Sequence, residues 1–297
     1  MFSNYISVKS LQPKIKEFKL SFYLLNQNIL TRGALILLLL LVLIAIFAMV
    51  IIPYPSHVTI GNDPGNALQP PSSHHLFGTD ELGRDIFSRV MYGTRISLES
   101  AIVTVFFALI IGSFLGAIAG SKGGWVDEAI MRVTDIFLSF PPMLLSICIA
   151  ALMGPSLMNA KIAIVISWWP WYTRLVRGQA ISIKEKQFSK AAETIGTSQF
   201  KIIFRHIVPN CISPVIIQAS MDMGAVILSL AGLSFLGLGA QAPTPEWGLM
   251  INTSRNYFMT APWYSLFPGI AIFLTVLSFN LLGDGIREIL DPKTRKN

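Results

Sequence analysis

An all-α, polytopic membrane bundle with six spanning helices is the fold class this sequence predicts, and three observations predict it. Apolar residues make up 53% of the 297 positions and charged residues only 13%, with a mean hydropathy of +0.59, a balance outside the range of ordinary soluble domains. Residues 33–52 are twenty consecutive uncharged, mostly aliphatic positions, enough for a helix to cross roughly 30 Å of hydrocarbon. The basic residues are also asymmetric. With the N-terminus inside, eighteen of the 23 lysines and arginines fall on the inner side and only Arg84, Arg89, Arg95, Lys161 and Arg255 on the outer, which fixes the orientation by the positive-inside rule. Topology thus accounts for the net charge of +7, and nucleic acid is not an expected partner.

Residues 1–32 form a basic cytoplasmic arm, with Leu20, Phe22, Tyr23, Leu24 and Leu25 near its end; it is either an interfacial segment or a separate partner-binding element. The first span, 33–52, is too long and starts too late for a cleaved signal peptide, so it stays as an anchor. Residues 53–97 are extracytoplasmic. They are rich in Pro, Gly and Asn at first, and then 80–93 reads as an amphipathic helix capped by Thr79 or Asp80, lying on or near the outer surface. Residues 98–283 make the core of the membrane domain, and 284–297 a cytoplasmic tail.

Five further spans follow, over residues 100–120, 136–153, 162–179, 211–230 and 266–282. The second carries Gly112, Gly116 and Gly120 at four-residue spacing, a stripe that admits a closely packed helix from the same bundle or from a partner chain. Pro141 and Pro142 break the third, as a bend beside a pore or as a packing kink. The fourth has only twelve uncharged residues between Lys161 and Arg174, interrupted by Pro170; snorkelling cations and the interfacial Trp168, Trp169, Trp171 and Tyr172 make it tolerable. Residues 238–265 form a second outer segment, which with 53–97 offers a docking surface. Cys148 and Cys211 fall on different levels of the membrane, so no disulfide is expected.

Between the fourth and fifth spans lies a polar island, residues 188–210. A first short helix through Ala191 and Ala192 stops at Gly196, which tolerates a left-handed cap. Thr197 or Ser198 then caps a second helix, placing Phe200, Ile203, Phe204, Ile207 and Val208 on one apolar face with Lys201 and Arg205 opposite. Pro209 stands where the next helix begins. Helix, glycine, helix on the inner face reads as a protein-docking element.

The island resembles the cytoplasmic coupling loop of binding-protein-dependent ABC importers: Ala191, Ala192, Gly196, Val208 and Pro209 fall on that family's pattern. The family's glutamate is replaced by Lys190, with Glu193 the nearest carboxylate. Two more segments are similar to the second permease of dipeptide, oligopeptide and nickel importers. One is Phe77-Gly78-Thr79-Asp80-Glu81-Leu82-Gly83-Arg84-Asp85, running on to Tyr92-Gly93-Thr94-Arg95-Ile96-Ser97-Leu98. The other is Leu233-Ser234-Phe235-Leu236-Gly237-Leu238-Gly239, followed by Pro243-Thr244-Pro245-Glu246-Trp247-Gly248.

The resemblance implies a type I-like permease fold in the cytoplasmic (inner) membrane of a prokaryote. It also implies a homologous second permease, an extracytoplasmic substrate-binding protein, and two ATPase subunits docked on the paired loops over residues 183–209. Short peptides are the implied substrate, with nickel or a metal chelate as the alternative. ATP and Mg would be bound by the ATPase subunits, since this chain has no phosphate loop: the nearest approach, Gly116 to Lys122, lacks the Gly-Lys-Ser/Thr spacing.

No catalytic constellation is visible. His57, His74, His75 and His206 lack metal-ligand spacing with cysteine or carboxylate, so no metal site is expected; a metal-chelate contact at His74 and His75 remains an alternative. Asp222 stands out as an acid inside the fifth span, where it costs on the order of 2.5–3.5 kcal/mol unless it faces a cavity or a partner group. It is a candidate for the translocation path or for a structural pair, with Gln218 one turn earlier on the same face. An ion-coupled secondary transporter using Asp222 is the reading from a different class; a non-transporting scaffold is a third, and leaves the outer motifs unexplained.

Overall fold

The computed structural model of the chain describes residues 28–290. The apolar end of the N-terminal arm and most of the C-terminal tail lie outside them. Among the described residues the secondary structure is helical throughout, without strands. Helix α1 (Ile29–Ile51) begins one turn before the expected span, because the Asn28 side chain accepts from the Leu30 amide and caps it there.

The second element corrects an expectation. Residues 79–85 form a closed turn rather than the start of a helix. Thr79 and Asp85 are bridged, Gly78 and Gly83 sit at φ +76° and +75°, and Asp80 Oδ1 accepts the amides of Leu82 and Arg84. The cap is therefore Asp85, whose Oδ2 accepts from Ser88 N at 2.7 Å. From there α2 (Ile86–Lys122) runs 37 residues without a break, so the expected surface helix and the second span are one element.

The third span is likewise two helices, α3 (Gly124–Leu138) and α4 (Pro142–Met153), bent by 87° at the Pro141-Pro142 break. Neither proline can donate a backbone hydrogen bond across the junction. Then comes α5 (Leu157–Lys184), 28 residues with Pro170 inside it. The loop helices α6 (Gln187–Thr194) and α7 (Gln199–Ile202) lead through a π-turn, Ile203–Ile207, into α8 (Val208–Phe235). That wide turn precedes Pro209, which lacks the amide an ordinary α-turn would use. A short α9 (Trp247–Ser254) and the long α10 (Trp263–Leu290) complete the chain.

Four helices, α1, α2, α8 and α10, are individually long and apolar enough to cross a membrane, and the bent α3–α4 pair makes five. Helix α5 supplies the sixth by length, about 42 Å at 1.5 Å per residue, although Lys161, Arg174 and Arg177 lower its hydropathy.

The expected glycine stripe is the seam that holds α2 to α5. Gly112 faces Trp169, Tyr172 and Thr173; Gly116 faces Thr173, Val176 and Arg177; Gly120 faces Arg177 and Ala180. The contacts climb both helices together, so α2 and α5 run parallel, and α3–α4 is the return between them. Gly283 against Met221 and Gly224 against Val276 and Asn280 set α10 antiparallel to α8, and Gly285 packs α10 on Thr31 of α1.

Two ends result. A cap end gathers residues 53–85 and 236–262 around buried Ile86, Leu233, Trp247 and Tyr264; a loop end gathers Val176, Ile183, Ile202, Ile203, Ile207 and Cys211. Cys148 and Cys211 are both free thiols.

Candidate functional site

At the loop end, the polar island is docked by one edge and open on the other. Lys184 Nζ donates to the Ser121 carbonyl at 2.9 Å, tying the end of α5 to the end of α2. Ile202, Ile203 and Ile207 are buried against α5 and α8, and Val208 is half-buried. Ile203, Ile207 and Val208 belong to the apolar stripe read from the sequence; Ile202 was not placed on it. The π-turn brings Ile202 in by shifting the register of the face. The backbone of α6 carries Ala191, Ala192 and Glu193, that of α7 carries Phe200, and the π-turn carries Phe204.

Between the helices Gly196 has φ +81°, the left-handed cap expected of it. The open edge shows Ile195, 81% exposed, and Phe188, 42% exposed. Lys190 pairs with Glu185 at 2.7 Å; hydrogen bonding to Lys190 holds the Glu185 carboxyl below the usual range.

Two ion pairs missed in the sequence brace this end. Arg177 grips Asp127 in a bidentate pair at 2.5 and 2.7 Å, and Arg174 meets Asp135 at 2.7 Å. Arg174 and Arg177 share one face of α5, but nothing in one dimension pairs them with acids 39 and 50 positions away.

At the cap end, the residues of the Gly78, Thr79, Asp80, Gly83, Arg84, Asp85 motif are buried, not displayed. Asp80 Oδ2 receives Arg84 Nε at 2.6 Å and lies 3.6 Å from Arg89 Nε, while Arg89 donates to the carbonyls of His57 and Pro243. Asp85 Oδ1 meets His75 Nδ1 at 3.0 Å, and the Asp85 amide donates to His57 Nδ1 at 2.9 Å. That bond requires an unprotonated Nδ1, in keeping with burial, which lowers the His57 pKa despite nearby Asp85. The two imidazoles flank Tyr54. His57 and His75 are thus held in the cap, while His74 contributes its carbonyl to Tyr54 Oη.

The second outer segment locks into the first. Trp247 Nε1 donates to the Val90 carbonyl, and Gly93 lies under Pro245 and Trp247. Glu246 caps α9 through the amides of Gly248 and Leu249, which offset the burial that pushes its carboxyl up. What the cap presents to solvent is instead a rim that includes Ile60, Phe258 and Met259.

Within the bundle, Gln218 Nε2 donates to Asp222 Oδ1 at 2.9 Å. Tyr172 of α5 is the other neighbour of the carboxylate, yet among the described residues Asp222 Oδ2 and the Tyr172 hydroxyl are both buried without a partner in hydrogen-bond geometry. Tyr172 looked like an interfacial aromatic in the sequence; the glycine seam instead seats it inside the bundle beside Asp222.

A multi-pass bundle with a buried polar cap at one end and a half-docked helix-glycine-helix at the other has the build of a membrane transport subunit. Residues 112–296, more than half the chain, match the family described as binding-protein-dependent transport system inner membrane component. The chain is 48% identical over 281 residues to the dipeptide transport system permease protein DppC of Alkalihalophilus pseudofirmus, covering 95% of this chain and 91% of that one. It is 44% identical over 287 residues to the glutathione transport system permease protein GsiD of Pectobacterium atrosepticum, covering 97% and 94%.

In fold, it is similar to a chain of the inward-facing MetNI methionine ABC transporter, with a TM-score of 0.55 at 15% identity over 69% of this chain and 97% of that chain. The chain belongs to the family of binding-protein-dependent transport system inner membrane components: it is a multi-pass permease subunit of a transport system in the inner membrane.

Proposed function

We propose that this chain is one of two homologous permease subunits of an ATP-driven importer of short peptides. Its partners are a second permease, two ATPase subunits that bind ATP and Mg, and an extracytoplasmic substrate-binding protein. Both termini and the loop over residues 183–209 face the cytoplasm, residues 53–97 face outward, and residues 98–283 carry the permease core. The observation that carries this reading is the half-docked loop. Its buried edge transmits movement to α5 and α8, and its open edge offers Ile195 and Phe188 to a partner. Alternating access follows: ATP draws the paired loops together, the bundle opens outward, and hydrolysis resets it. The relatives named above transport a dipeptide and glutathione, both peptides; neither favours the nickel alternative.

Two results test the proposal. Affinity purification in mild detergent is expected to bring down the second permease and the ATPase chains, and Ile195→Asp is expected to release the ATPases while the bundle stays folded. We assign Asp222 to the translocation path, with Gln218 beside it; the hydrogen bond between them supports the pairing. Losing one charge-assisted hydrogen bond, worth roughly 1.5–3 kcal/mol, makes Asp222→Asn expected to raise the peptide concentration for half-maximal uptake by about ten- to a hundredfold. Uptake unchanged at every concentration removes Asp222 from the path.

A further inference from the structure

Two imidazoles in the cap meet the same aspartate by opposite chemistry. The Asp85 amide donates to His57 Nδ1 at 2.9 Å, and Asp85 Oδ1 meets His75 Nδ1 at 3.0 Å. The first bond needs a bare ring nitrogen, and the second needs a ring N–H, since an ionised carboxylate only accepts. A proton added to His75 therefore leaves its bond standing. A proton added to His57 Nδ1 sets two N–H donors against each other. Turning that ring over is no remedy, because it puts a carbon against the Asp85 amide and leaves a backbone donor unpaired.

His57 occupies the turn Pro55–Val58, which follows α1, and that turn is tied to two other parts of the cap. The His57 carbonyl receives Arg89 Nη1 at 3.0 Å, and Arg89 Nη2 reaches the Pro243 carbonyl of the second outer segment at 3.3 Å. The Tyr54 amide donates to Ser88 Oγ, which itself donates to Asp85 Oδ2 at 2.7 Å. Tyr54 lies between the imidazoles, 5.0 Å from each ring centre. Freeing His57 thus loosens the turn against both α2 and the second outer segment.

The charged and titratable groups around the ring are Asp85 and Arg89 at the start of α2, Asp63 and Asp80 from the outer segment, and His75 across Tyr54. Burial has the largest influence and lowers the His57 pKa; Asp85, Asp63 and Asp80 oppose it, and His75 adds to it. The closed cap accordingly binds fewer protons than an open one. Its stability is full above the ordinary imidazole value of 6.5 and is lost as the pH falls through the lower value of the folded ring.

We propose that His57 is a proton-operated latch: neutral, it pins the Pro55–Val58 turn to the start of α2, and protonated, it releases that turn and opens the cap in acid. The latch is complete within this chain and works whatever subunits accompany it.

Hydrogen exchange on the full chain in detergent, corrected for the intrinsic rate and compared between about pH 7.5 and about pH 5, tests it across the range in which an imidazole changes charge. In the wild type the amides of Tyr54, His57 and Asp85 are expected to lose protection in acid, by no more than about tenfold per pH unit, the slope of one proton. His57→Asn sets a neutral acceptor near the position of Nδ1 and should stay protected throughout, whereas His75→Asn keeps an N–H for Asp85 and should open as the wild type does. If His57→Asn fails to fold at neutral pH, the wild-type His57 ring, followed by NMR with labelled histidine, should titrate in step with the loss of protection. Protection that holds in the wild type at about pH 5, well below the usual histidine range, overturns the proposal. So does an acid loss that persists in His57→Asn, that is steeper than one proton, or that runs out of step with the ring, since each moves the response to His75 or to the carboxylates of Asp63, Asp80 and Asp85.

Discussion

Gly116→Leu is expected to abolish accumulation of the folded subunit. A Cβ at this position would sit 3.0 Å from Val176 Cβ and from the Arg177 amide, and closer still to the Thr173 carbonyl. Those neighbours are backbone and branched carbon on a packed helix, so α2 and α5 must separate. Overpacking alone costs typically 1–3 kcal/mol, and separation also displaces Arg177 from its bidentate grip on Asp127. The total is on the order of several kcal/mol, a large share of a typical folding free energy. Thermal unfolding followed by size-exclusion fluorescence in detergent should show little folded monomer for leucine and an intermediate loss for Gly116→Ala. Gly178, on the same α5 helix with open space where a Cβ would go, is the control: Gly178→Ala should leave unfolding unchanged or raise it slightly, since alanine is favoured over glycine in a helix. Equal tolerance at 116 and 178 would contradict the parallel α2–α5 seam.

Removing Asp80 should be nearly as damaging, at the opposite end of the molecule. Its carboxylate is wholly buried, receives Arg84 Nε at 2.6 Å and the amides of Leu82 and Arg84, and neighbours the buried Arg89. Asp80→Ala leaves two buried guanidinium groups facing the vacated position, and breaking a buried pair from one side costs roughly 3–5 kcal/mol. The expected result is an opened cap, with fast proteolysis within residues 60–85 and a lowered unfolding temperature. Asp80→Asn keeps an oxygen for the two amides and should fall between alanine and wild type. Wild-type protease resistance in the alanine variant would show that the cap does not depend on this cluster.

The two ends differ in how far the sequence disclosed them. The loop was legible because its signals are local. Gly196 terminates one helix by backbone geometry, the apolar stripe through Ile203 and Ile207 is helical spacing, and Pro209 marks a helix start. The glycine stripe on α2 announced a close approach, though only the folded chain names α5 as its partner.

The cap was misread for a physical reason. Asp80 and Asp85 both precede an apolar run and look alike as N-caps; what separates them is that Arg84 and Arg89 draw Asp80 inward, leaving Asp85 to cap α2. The same long-range pairing hid Asp127–Arg177 and the seating of Tyr172 beside Asp222. Charge in this chain sets the expected topology through its distribution along the sequence, but the pairing of individual charges is a property of packing that one-dimensional spacing does not encode.

The central claim is that ATP-driven peptide import passes through the half-docked loop. Its most direct test is uptake of a labelled dipeptide by proteoliposomes containing the co-purified complex and a binding protein, comparing wild type with Gly196→Pro. Proline fixes φ near −65°, so it cannot adopt the +81° that Gly196 takes between the loop helices. The account predicts ATP-dependent uptake in the wild type and its loss in the variant, while the membrane subunit remains folded and monodisperse. Uptake that persists without ATP, or without any ATPase chain, would contradict it and return an ion-coupled carrier as the working description.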